Sequence, residues 1–186
     1  ILMPESTPRN YVEATRGYGA EVKFAADVSA AFAEVTEYER QGWAYIHPFD
    51  DPLVMAGQGT IGLEILEDVP QVTDIVASIG GGGLIGGLAT AVRALKPFVR
   101  VWGVETEGAD CMSKSLAAGK LVTLEAITSI ARTLGAPAPS EQTLAMASEL
   151  LESVTVVSDA EALAALRFVL ERLKVLTEPA ASCTLA

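Results

Sequence analysis

The residues best placed to do chemistry are four consecutive glycines, Gly80, Gly81, Gly82 and Gly83. They lie between the β-branched run Thr73 to Ile79 and an apolar stretch from Leu84 to Leu95. A glycine in an ordered element costs up to about 1 kcal/mol relative to alanine, so four in a row need a structural reason. Close backbone approach supplies one. Without β-carbons, unpaired amides at a helix N-terminus can converge on an anion, and the helix dipole favours negative charge there. The loop follows a predicted strand, the edge at which open α/β sheets take ligands. This favours a phosphate cradle over a turn that is glycine-rich for packing alone.

The residues leave two phosphate chemistries open. Gly81-Gly82-Gly83-Leu84-Ile85-Gly86 satisfies GxGxxG, and Glu105 ends the next predicted strand near the spacing of a ribose-binding carboxylate, so a nicotinamide dinucleotide competes. A Walker A loop is excluded because no Gly-Lys-Ser/Thr follows. Cys111 and Cys183 lie far apart without a CxxC or a histidine companion, which fits a reducing compartment and two ordinary core residues. His47, the only histidine, stands between a predicted strand and Pro48 and reads as structural.

Alternating elements must position this loop. Thr7 and Pro8 start a helix that Gly17 to Gly19 ends, and a short strand follows over Glu21 to Phe24. Asp27 caps a second helix, stopped by Gly42 before a strand over Ala44 to His47. Two prolines in His47 to Pro52 break regular structure and mark a crossing between lobes, giving units 1–46 and 47–186. Beyond it, helices are predicted over Ala56 to Glu67, Leu84 to Leu95, Asp110 to Ala118 and Ser140 to Leu151, with strands over Thr73 to Ile79, Val99 to Val104 and Val154 to Val157. Ser158-Asp159-Ala160-Glu161 is a capping box for a helix running to about Leu173. The pattern predicts an α/β fold with parallel sheets covered by helices on both faces.

Composition narrows the partners. With 13 Lys plus Arg against 24 Asp plus Glu, the net charge is −11, and no basic run exceeds a pair. Nucleic acid and anionic membranes are excluded as expected partners. The uncharged stretch Ile75 to Val92 imitates a membrane span but carries six glycines and reads as strand, loop and helix. No basic, apolar secretory leader opens the sequence, and a cytoplasmic location is expected. Both ends look cut: the first residue is not Met, and Leu185-Ala186 stands inside a helical pattern.

Several motifs now fall in one order. Gly57-Gln58-Gly59-Thr60 with Glu64, then Gly80 to Leu84, then Val104-Glu105-Thr106-Glu107-Gly108-Ala109 resemble successive signatures of the pyridoxal-phosphate (PLP) dependent serine/threonine dehydratases. This is the threonine ammonia-lyase family, with the tryptophan-synthase-β-like fold called type II. Met3 to Pro8 and Tyr18 to Val22 are similar to its small lobe. Glu171 to Lys174 and Glu178-Pro179-Ala180 fit its last third. The likeness spans the chain as part of the small lobe plus most of the C-terminal part of the large PLP-binding lobe, and it displaces the dinucleotide.

The resemblance implies an oligomeric PLP-dependent lyase acting on L-threonine, L-serine or a related β-hydroxy amino acid, yielding a 2-oxo acid and ammonia. A homo-oligomer and a small-molecule substrate are the implied partners. Gly80, Gly81, Gly82, Gly83 and the amide of Leu84 inherit the phosphate grip. A cation, monovalent or divalent, is implied at Glu105 and the carbonyl of Ala109, with Cys111 at the third ligand position, where a thiol does not suit a hard divalent ion. Ala131-Arg132-Thr133 stands where many members show Ala-Asp-Gly. The Schiff-base lysine belongs upstream of Ile1, so none of Lys23, Lys96, Lys114, Lys120 and Lys174 is catalytic. The alternatives are a non-catalytic module that keeps the phosphate cradle, or an NAD-dependent oxidoreductase.

Overall fold

β1 (Leu2–Pro4) runs parallel to β2 (Lys23–Ala25), with Met3 opposite Phe24, in a computed structural model that describes residues 1–186. Between them lies α1 (Arg9–Gly17), which buries Val12. α2 (Val28–Arg40) follows, and the Asp27 carboxylate accepts the Ala30 amide at 2.7 Å. Such a cap contributes about 1 kcal/mol. These elements form a first unit, Ile1–Ile46, and the rest a second, His47–Ala186. Two details depart from expectation. Pro8, not Thr7, is the N-cap of α1 and makes no side-chain cap bond. Residues 44–47 form no strand, because no segment pairs with them.

The second unit is a parallel sheet of β3 (Asp74–Ser78), β4 (Arg100–Thr106) and β5 (Val154–Val157), in that spatial order. Ala77 stands opposite Gly103, and Glu105 opposite Val156. Strand side chains alternate between faces, and the core follows that alternation. Ile75, Ala77 and Val101 join a cluster with Leu88 and Val92 of α4 (Gly83–Leu95), Met112 of α5 (Cys111–Ala118) and Ala147 of α6 (Glu141–Leu150). Val104 and Val157 join a second cluster with Ala162 of α7 (Asp159–Phe168) and Ala180 of α8 (Pro179–Ser182). Helices therefore cover both faces, as the alternation of elements predicts.

α3 (Pro52–Asp68) starts earlier than its apolar spacing suggests, because the Asp51 carboxylate accepts the Leu53 and Val54 amides and Pro52 fits the first turn. It packs on α4 through glycines. A β-carbon at Gly59 would lie 3.1 Å from the Gly87 carbonyl, and one at Gly87 would collide with the Met55 carbonyl. Gly59 in the Gly57 to Thr60 motif therefore sets a helix separation. α7 is shorter than expected: after Phe168 the chain widens into a π turn over Val169–Leu173, ended by Lys174 at φ 59°.

Candidate functional site

The ladder of β3 ends where the Ile79 amide donates to the Val104 carbonyl at 2.8 Å, and α4 begins where the Gly86 amide donates to the Gly82 carbonyl at 2.9 Å. Between these bonds, the amides from Gly80 to Ile85 donate to no group of the chain, and α4 has no side-chain cap. Gly81, Gly82 and Gly83 are buried. Six successive donors at the positive end of a 13-residue helix suit a phosphate. Buried amides without partners are costly, so a ligand accepting from them binds favourably.

The glycine types have a second cause, in packing. A β-carbon on Gly81 would collide with the ring of Phe49, and one on Gly83 would lie 2.7 Å from the Phe49 backbone. At Gly82, which has φ +96°, it would lie 2.8 Å from Met112 Cε and Thr143 Cβ; at Gly80, 3.2 Å from Leu134 Cα. The loop is boxed in by four residues from separate segments. Ser140 and Thr143 cap α6 reciprocally, which fixes Thr143 against Gly82.

Glu105 is fully buried at the end of β4. Its two carboxylate oxygens accept the Met112 amide at 2.9 Å and the Ser113 amide at 2.7 Å, so it ties α5 to the sheet. Burial pushes its carboxyl up to about 7 despite those amides. The Cys111 thiol, pushed up to about 12 by burial, stays protonated and faces the Gly80 carbonyl at 3.8 Å. Asp110 is engaged with Lys114 at 2.9 Å. No three His, Cys, Asp or Glu side chains assemble as a metal set. One committed carboxylate and one protonated thiol do not fit a divalent ion.

His47 is occupied in a turn: its Nδ1 accepts the amides of Phe49 at 3.2 Å and Asp50 at 2.8 Å. Lys96 caps the far end of α4, about 20 Å from the loop at 1.5 Å per residue. Lys114 pairs with Asp110, Lys174 donates to the Glu171 carbonyl, and Lys120 is exposed. Cys183 is buried and donates to the Ala180 carbonyl at 3.2 Å.

Sequence reasoning missed a polar chain at the carboxyl end of β4, buried at Thr106 and Ser129. The Thr106 and Ser129 hydroxyls share a hydrogen bond at 2.8 Å, Ser129 donates to Asp159 Oδ1 at 2.7 Å, and the Ile130 amide donates to Asp159 Oδ2 at 3.1 Å. This holds the segment before Arg132–Leu134, a single 3₁₀ turn, at the carboxyl end of β4. Arg132 and Thr133 are exposed there, and Leu134 backs Gly80. The one sequence signal was Asp159 inside the capping box, which predicts a helix start and not a partner 30 residues away.

Comparison with known proteins agrees with the resemblance read from the motifs. The sequence profile of pyridoxal-phosphate dependent enzymes matches residues 1–186. The chain is 44% identical to an L-threonine ammonia-lyase of Geobacter sulfurreducens, spanning 100% of this chain and 47% of that protein. It is 37% identical to the catabolic L-threonine dehydratase TdcB of Escherichia coli, covering 57% of it. The chain thus spans about half the length of the curated relatives it matches. Among solved structures, it superposes on maize serine racemase with a TM-score of 0.92 at 34% identity, covering 100% of this chain and 58% of that one. A threonine deaminase from T.th. gives 0.89 at 40% identity, covering 99% and 61%. No helix is long and apolar enough to cross a membrane.

Proposed function

We propose, since this chain belongs to the pyridoxal-phosphate dependent enzymes, that it is the phosphate-gripping part of an ammonia-lyase acting on L-threonine, L-serine or a related β-hydroxy amino acid, which yields a 2-oxo acid and ammonia. The observation that carries this is the run of unpartnered amides from Gly80 to Ile85 among buried glycines. The amides of Gly80 to Gly83 and Leu84 would hold the phosphate group of pyridoxal phosphate. When bound, that cofactor supplies an electron sink for the bond cleaved next to the amino group. Relatives named threonine ammonia-lyase and threonine dehydratase favour the lyase.

The chain's own residues bind and orient. The α4 dipole and loop amides neutralise phosphate charge, while Phe49, Met112, Thr143 and Leu134 leave the loop no room to collapse. No proton transfer is assigned to a residue of this chain. Of the five lysines, four lie in the second unit, and each of these is paired, exposed or at the far end of α4; the fifth, Lys23, belongs to the first unit. The resemblance implies that the lysine that carries the cofactor covalently lies upstream of Ile1, and none of these five is proposed for that role. A divalent ion at Glu105 and Ala109 enters no step.

The test is a cofactor titration followed by product analysis, both carried out on the protein together with the segment proposed to carry the cofactor lysine. Pyridoxal phosphate should bind with its phosphate resonance displaced in the ³¹P spectrum, and Gly82→Val should abolish that displacement. With L-threonine and L-serine, 2-oxo acid formation supports the lyase. D-serine as the sole product would assign a racemase instead, and binding without turnover would leave a non-catalytic module.

A further inference from the structure

A loop of four glycines is a poor cradle unless something holds it still. Each glycine brings more conformational freedom than any other residue, and freedom lost on ligand binding is subtracted from affinity. Three of the clamps come from well-formed elements or their flanks: Met112 on α5, Thr143 on α6 and Leu134 in a 3₁₀ turn. Phe49 does not. It stands in an irregular stretch before α3, half-buried, yet it touches the loop at two points, Gly81 through its ring and Gly83 through its backbone.

Something must fix Phe49, and the imidazole of His47 does so in two ways. Nδ1 accepts both the Phe49 amide at 3.2 Å and the Asp50 amide at 2.8 Å, which closes the turn around Pro48. The ring edge also meets the Phe49 ring at a centroid distance of 4.5 Å and 87°, within the range of a favourable edge-to-face pair. On the other side, Asp51 anchors the stretch by capping α3. We infer that His47 is a positioning residue for the cofactor loop: it holds the Phe49 backstop against Gly81 and Gly83, and so keeps the phosphate-binding amides in place. This rests on the cradle reading proposed above.

The bonding requires an unprotonated Nδ1, so the imidazole is neutral with its proton on Nε2. Burial lowers its pKa, although Asp50 and Asp51 pull the other way, and this favours the same form. The acceptor at the Nδ1 position is the functional feature. An asparagine can place its Oδ1 close to that point, whereas a glutamine reaches past it and an alanine offers nothing.

The experiment strips the protein of cofactor and retitrates it with pyridoxal phosphate. It reads the dissociation constant and the ³¹P line width of the bound phosphate in the native protein and in His47→Ala, His47→Gln, His47→Asn, Phe49→Leu and Gly82→Val. Losing two neutral hydrogen bonds predicts a dissociation constant raised about tenfold to a hundredfold in His47→Ala and His47→Gln, with a broadened line. His47→Asn should bind within about threefold of native, and Phe49→Leu should resemble His47→Ala. A merely structural histidine would lower the unfolding midpoint of the apoprotein without this split between Asn and Gln. Should Gly82→Val abolish binding while every His47 variant matches the native protein, or should His47→Asn fail as badly as His47→Ala, the inference is overturned and the cradle stands. If the native protein shows no phosphate binding at all, the cradle reading fails and takes this inference with it.

Discussion

The ring of Phe49 occupies the space that a β-carbon on Gly81 would need, so the two residues share one packed volume at the end of β3. Gly81→Ala must push that ring or the loop aside. Overpacking of this kind costs about 1–3 kcal/mol, and cofactor affinity should fall by at least about tenfold because the loop amides move with it. Gly57→Ala is the matched control, since a β-carbon there meets nothing within 4 Å in the interior of α3. It should stabilise by up to about 1 kcal/mol and leave cofactor binding unchanged. Urea midpoints and a pyridoxal-phosphate titration on the two variants check both.

Ser129→Ala should be costly for a different reason. Ser129 is 1% exposed and serves Thr106, Asp159 and the amide of Ala131 at once. Removing its hydroxyl leaves buried polar groups without a partner, a loss of about 1–3 kcal/mol. Because Ser129 and Asp159 act together, Ser129→Ala and Asp159→Asn should be non-additive in the double variant, with a coupling of about 0.5 kcal/mol or more in denaturant unfolding. Faster amide exchange over residues 127–135 should accompany it.

Local signals carry most of the second unit. β5 falls over Val154–Val157 as its β-branched run predicts, and both Ser158 and Ser140 cap the helices that follow them. The glycine loop is legible because four glycines at a strand end leave few explanations. What escapes is whatever depends on residues distant in sequence. Nothing near Gly81 announces Phe49, far upstream of it, and nothing near Ser129 announces Asp159. The strand expected over Ala44 to His47 fails for the same reason, since a strand needs a partner and propensity cannot supply one. The β-branched run places Glu105 near the end of a strand, and β4 runs one residue past it, but the two amides that occupy its carboxylate come from α5, and only the folded chain brings them there.

Two carboxylates give pH dependences of opposite sign. The Arg100 guanidinium, the Trp102 indole and the Thr73 hydroxyl hold the Asp74 carboxyl at about 2, below its ordinary 3.8. Its contribution is therefore complete above about pH 4 and lost as pH falls through about 2. Glu105 is raised by burial from 4.5 to about 7, so the folded state binds its proton more tightly than the unfolded chain. Its contribution is complete below pH 4.5 and lost as pH rises through about 7. Urea midpoints measured from about pH 2 to about pH 8 should fall at both ends. Asp74→Asn should flatten only the acid limb, and Glu105→Gln only the limb between about pH 5 and about pH 8.

Divalent ions should leave this protein untouched, because the place the resemblance assigns to one offers a carboxylate committed to two helix amides and a buried thiol, a poor donor set for a hard ion. Glu105 spends both oxygens on the Met112 and Ser113 amides, and its neighbour Cys111 is a buried, protonated thiol. Millimolar magnesium or calcium, or a chelator, should shift neither the unfolding midpoint nor cofactor affinity. Cys111→Asp tests the donor argument from the other side. It buries a second carboxylate beside the first, and two like charges in a dry site repel unless a cation is shared between them. The variant should be less stable than the native protein in chelator and should recover by several degrees when calcium or magnesium is added. A native protein whose midpoint rises with either ion would show that Glu105 can be drawn off its helix amides, and the hydrogen-bonded account of this corner would then be wrong.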